Sequence, residues 1–65
     1  MNILAHTKYG VFQTIPVKYT EEKYKTVIDL LERLPELKYL ILETDKGHIY
    51  FSEELIADSI FILQK

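Results

Sequence analysis

The feature that most constrains this chain is the stretch Thr20 to Leu34, TEEKYKTVIDLLERL, whose apolar residues recur at helical spacing. At about 100° per residue, Tyr24, Val27, Ile28, Leu30, Leu31 and Leu34 share one arc of roughly 160°. Thr20 is placed to accept a bond from an unpaired first-turn N–H, and Glu21 and Glu22 sit where the helix dipole favours negative charge. Lys23 occupies the position where a capping box would carry Glu, and Pro35 ends the segment. Glu21, Lys25, Asp29 and Arg33 run down the other side at i, i+4 spacing with alternating sign, which is the pattern of a solvated face. Everything before and after this segment reads as strand, so its apolar arc is expected to floor the core.

Ahead of the helix, Ile3-Leu4-Ala5 and Val11 to Val17 are β-prone runs joined by Thr7-Lys8-Tyr9-Gly10, the pattern of a hairpin. Gly10 is expected to take positive φ and close a type I turn with a bulge. Pro16 donates no N–H, so the second strand is expected to lie near an edge or to finish there. After the helix, Leu37 to Glu43, the turn Thr44-Asp45-Lys46-Gly47, and His48 to Phe51 make a second hairpin. Its apolar pattern sets Leu40, Leu42, Ile49 and Phe51 on one face and Tyr39, Ile41, Glu43, His48 and Tyr50 on the other. Ser52-Glu53-Glu54 before Leu55-Ile56-Ala57 reads as a capped helical turn, and Ile60-Phe61-Ile62-Leu63 as a last strand, apolar on both faces. The expected fold class is α+β, in the order ββ-α-ββ-(short helical turn)-β, with one helix packed across a mixed sheet of four to five strands.

At 65 residues the chain is expected to form one small domain, 1–65, near the lower limit of independent stability. It has no cysteine, so neither disulfides nor thiolate metal sites contribute, and a reducing, cytoplasmic setting is expected. Ten acidic against eight basic residues give a net charge of −2, which is not a nucleic-acid footprint. The opening MNILAHTKYG lacks a basic n-region, and no apolar run approaches the roughly 20 residues that span a bilayer. No Ser-His-Asp set, paired carboxylates or glycine-rich phosphate loop is visible, so no enzymatic activity and no cofactor are expected. His6 and His48 are the only imidazoles, too few for a zinc site, and no metal is expected.

Met1, Ile3, Thr7, Gly10, Thr14 and Val17 follow the first hairpin of the ubiquitin-like β-grasp family without a gap, and Asn2, Leu4 and Ile15 nearly do. Ser52, Ile56 and Ile60-x-Ile62 are similar to its short turn and final strand. The chain therefore resembles that family over about half its length and by pattern elsewhere. The resemblance implies a non-enzymatic module that binds proteins through its exposed sheet face, with Lys8, Ile41, His48 and Leu63 close to the family's recognition patch. Leu63-Gln64-Lys65 stands where the family carries a Gly-Gly tail, so conjugation and sulfur carriage are not carried over. Ala5 and Gln13 also depart, standing where the family buries larger apolar groups.

If the helix covers the face bearing Ile3, Ile15, Val17, Leu40, Leu42, Ile49, Phe51, Ile60 and Ile62, the other face shows Leu4, Phe12, Tyr39, Ile41, Tyr50, Phe61 and Leu63 to solvent. A contiguous apolar and aromatic group of that kind marks a protein partner or a homodimer. The pairs Lys8-Tyr9, Lys18-Tyr19, Lys23-Tyr24 and Lys38-Tyr39 raise a nucleotide or single-stranded nucleic acid as a third reading, through Tyr39, Tyr50 and nearby lysines. Their scatter over different elements and the net acidic charge weigh against it, and amphipathic side chains at the core rim account for them more simply.

Overall fold

The computed structural model describes all residues, 1–65, in the expected order of elements. The first hairpin is β1 (Asn2–Thr7) and β2 (Gly10–Gln13). The main helix α1 (Glu21–Glu32) is followed by a 3-10 turn, Leu34–Glu36, which contains Pro35. The second hairpin is β3 (Tyr39–Thr44) and β4 (Gly47–Ser52), then come α2 (Glu53–Asp58) and β5 (Ile60–Gln64). No helix is long and apolar enough to cross a membrane.

The two T-x-x-G turns are built the same way. Thr7 Oγ1 donates to the Gly10 carbonyl (3.0 Å) and accepts from Tyr9 N–H (3.0 Å). Thr44 Oγ1 donates to the Gly47 carbonyl (2.8 Å) and accepts from Lys46 N–H (3.1 Å). Both glycines have positive φ, +127° and +105°, and no other residue does, so the turns depend on them. The same economy caps the helices: Thr20 Oγ1 accepts from Lys23 N–H (3.1 Å), and Ser52 Oγ from Leu55 N–H (3.2 Å).

The sheet departs from expectation. A mixed sheet needs a parallel pair, and every strand pair here is antiparallel. One sheet has the order β2-β1-β5 and the other is β3-β4. They meet at a corner where Thr14 bridges Thr44, Ile15 N–H donates to the Glu43 carbonyl (3.3 Å) and Asp45 N–H to the Gln13 carbonyl (3.4 Å). From that corner the sheets bend over a shared interior, and the rings of Phe51 and Phe61, from β4 and β5, lie 5.5 Å apart within it.

The second strand is also interrupted. Ile3 N–H donates to Thr14 Oγ1 (2.8 Å) while Thr14 N–H donates to the Ile3 carbonyl (2.9 Å). Pairing resumes between Val17 and Met1, whose backbones exchange bonds of 2.8 and 2.9 Å. Three steps from Thr14 to Val17 thus oppose two from Ile3 to Met1, which is a β-bulge. It holds Pro16, which has no N–H to leave unpaired.

The buried apolar core is Ile3, Ala5, Leu40, Leu42, Phe51 and Ile56; all but Ile3 form one cluster, with Leu30, Leu34, Leu37, Ile49, Leu55 and Phe61 packed around it. The helix lies on this interior as its arc predicts. Tyr24, Val27, Ile28, Leu30, Leu31 and Leu34 are the half-buried residues of the segment, and every residue from Glu21 to Arg33 off the arc is exposed. None of α1 is fully buried, however, so the helix sits shallowly on the inner face.

Candidate interaction surface

The register of the second hairpin is the expected one: Leu40 opposes Phe51 and Leu42 opposes Ile49 on the inner side. The outer side then carries Ile41 opposite Tyr50, Tyr39 opposite Ser52, and Glu43 opposite His48. Tyr39 and Tyr50 are diagonal neighbours, and their rings stack at 6.1 Å with 13° between planes. Tyr39, Ile41 and Tyr50 are 58%, 52% and 61% exposed. Nothing in the chain covers them. Glu43 and His48 rim this patch without an ion pair, the structure's two such pairs being Asp29–Arg33 and Lys38–Glu53, both exposed.

Three residues expected on this solvent face lie elsewhere. Phe61 and Leu63 are half-buried and point inward, because β5 pairs with β1 so that Ala5 opposes Phe61 and Ile3 opposes Leu63. Ile60 and Ile62, expected in the core, are the exposed pair of β5 at 66% and 42%. A strand apolar on both faces gives no alternation from which to choose, and small, fully buried Ala5 provides the room that Phe61 and Phe51 fill. Phe12 also faces inward, opposite Ala5. Simple alternation would put Phe12 and Val17 on opposite faces; the bulge places both inside.

Ile15 and Val17, also expected beneath the helix, remain 47% and 46% exposed. They line an open apolar cavity of about 330 Å³ together with Met1, Ile3, Val27, Ile41 and Leu63, where the shallow helix fails to fill the space between the sheets, so Ile41 borders this cavity as well as the outer face. A second cleft, of about 570 Å³, lies between Leu31, Leu34, Ile56 and Phe61.

Of the remaining site candidates, Leu4 is half-buried on the outer face of the three-stranded sheet. Its cross-strand neighbours are Gln13 and Ile62, and Val11, His6 and Ile60 form the next row. Val11, Ile60 and Ile62 were not anticipated; Ala5 was the signal, since a small residue in a central strand calls for large inward-facing neighbours. Lys8 is in the first turn, its ammonium 5.5 Å from the Tyr9 ring, and does not join Ile41 and His48 on the β3-β4 face. Of the expected patch of Lys8, Ile41, His48 and Leu63, Ile41 and Leu63 border the same open cavity and His48 shares the outer face of β3-β4 with Ile41, while Lys8 lies apart in the first turn.

The lysine–tyrosine pairs are dispersed as well. Tyr19 and Tyr24 sit together at 5.7 Å beneath Lys65, whose ammonium is 4.6 Å from the Tyr24 ring, while Tyr39 and Tyr50 are on the other sheet. The two histidines belong to different sheets, and no three His, Asp or Glu side chains come together as a metal site would need. Comparison with protein-family models, with curated proteins and with solved structures finds no match.

Proposed function

We propose that this protein is a non-enzymatic interaction module, an adaptor or inhibitor, that binds a protein partner through the outer face of β3 and β4. The observation that carries the reading is the uncovered group of Tyr39, Ile41 and Tyr50. Two stacked aromatic rings and a β-branched residue offer a large apolar area on side chains with few rotamers, so little entropy is lost on binding. Glu43 and His48 supply a polar rim. The ubiquitin-like resemblance supports the reading through Ile41 and His48, the members of its recognition patch that share this face.

Site-specific photo-crosslinking tests it. A benzoylphenylalanine at Ile41 should trap one discrete protein species in a concentrated extract of the source cells. The same probe at Asp29, on the charged side of α1, should trap none. Equal labelling from both positions, or none from Ile41, would remove the proposal.

A further inference from the structure

A separate feature, independent of the β3-β4 surface, lies at the free edge of β5. Strand β1 is central in its sheet, and Ile3 turns both its N–H and its carbonyl toward Thr14 on the β2 side. Backbone direction alternates along a strand, so Asn2, Leu4 and His6 face β5 and bond Gln64, Ile62 and Ile60. The N–H and carbonyl groups of Phe61 and Leu63 therefore point away from β1. No hydrogen bond in the structure takes them up outside the strand ladder.

Edge strands are ordinarily guarded by charge, proline, a bulge or a covering segment. Ile60–Gln64 has no charged residue, no proline and no bulge. The edge of β4 is likewise without proline or bulge but carries the polar His48 and Tyr50, whereas β5 is apolar from Ile60 to Leu63; each strand has a lysine just beyond one end, Lys46 and Lys65. The packing of β5 is also unfinished. Leu63 borders the smaller cavity and Phe61 the larger cleft, so neither inward side chain is fully surrounded by its own chain.

We infer that β5 pairs edge to edge with β5 of a second copy of this chain, antiparallel about Ile62, forming a two-fold symmetric dimer. In that register Phe61 opposes the second copy's Leu63, and Leu63 the second copy's Phe61. These are the residues whose backbone groups face outward, so every free donor on one edge meets a free acceptor on the other. Ile62 meets Ile62 of the second copy on the outer side, and Ile60 meets Gln64, so no like charges are opposed. On the inner side each Phe61 gains an apolar neighbour beside its open cleft. The contact is isologous, which closes the assembly at two chains. A strand from an unrelated protein could satisfy the same backbone groups, but the match of Phe61 with Leu63 about a central Ile62 favours the chain's own copy.

Sedimentation across the micromolar range tests this. The 7.7 kDa chain should shift toward twice that mass as concentration rises. Ile62→Lys puts two like charges at the dyad on an exposed position and should return the protein to one-chain mass with its circular dichroism unchanged. Should that variant unfold, chemical synthesis with an N-methyl group on Leu63 removes one outward donor, keeps the side chain and leaves the β1 ladder intact; it should also be monomeric. Wild-type protein that stays at one-chain mass throughout, or a dimer that survives N-methylation of Leu63, overturns the inference.

Discussion

Thr44 and Thr7 perform the same task in turns with the same hydrogen-bond pattern, and their surroundings differ. Each hydroxyl satisfies one N–H and one carbonyl of its own turn, but Thr44 is buried at 3% exposure while the bonds of Thr7 are exposed. Water can replace the Thr7 hydroxyl and has little access to the place of Thr44. Thr44→Ala is therefore expected to cost about 1–3 kcal/mol, and Thr7→Ala within about 1 kcal/mol. Urea denaturation of the two variants checks the difference; equal losses would mean that the corner between the sheets admits water. Ala5 makes the complementary point. Its missing bulk admits the Phe51 and Phe61 rings, which arrive from other strands.

At the scale of elements, what could be read from the sequence followed from how strongly each segment alternates. The helix arc and the β3-β4 register were legible because each divides apolar from polar residues cleanly, and the structure keeps both divisions. The paired turns were legible because a Thr hydroxyl and a positive-φ glycine can each be assigned from local chemistry. Strand β5 was not, because Ile60 to Leu63 is apolar on every position and only pairing with β1 selects its inner face. The bulge after β2 was hidden because Thr14 uses its side-chain oxygen where a ladder would use a carbonyl. The candidate surface inherits this unevenness: Tyr39, Ile41 and Tyr50 are exposed where their alternation puts them, whereas Phe12, Phe61 and Leu63 turn inward and Ile60 and Ile62 outward, against the pattern. Helix α1 is the element most open to improvement. Val27 borders an unfilled apolar cavity of about 330 Å³, so Val27→Leu should fill part of it. A gain of about 0.5–2 kcal/mol is expected, read as a higher urea midpoint; a loss would mean that α1 already sits as closely as its backbone allows.

For the whole molecule, a small interior leaves much apolar surface outside. Only Ile3, Ala5, Leu40, Leu42, Phe51 and Ile56 form the buried apolar core, whereas tyrosines and β-branched residues stand exposed on both sheets. The helix takes up the inner face and the charged ladder of α1 faces solvent, with its Asp29–Arg33 pair exposed on both sides. The proposed interaction therefore uses the outside of the sheets, away from the helix that organises the fold. The tyrosines provide internal probes of that proposal. Tyr39 and Tyr50 belong to the proposed surface, while Tyr9, at the tip of the first turn, is 73% exposed and lies outside it. The most direct measurement is hydroxyl-radical footprinting of the isolated protein and of its complex captured through Ile41. Tyr39 and Tyr50 should become shielded in the complex while Tyr9 keeps its reactivity. Shielding of Tyr9 with Tyr39 and Tyr50 still reactive would contradict the proposed surface.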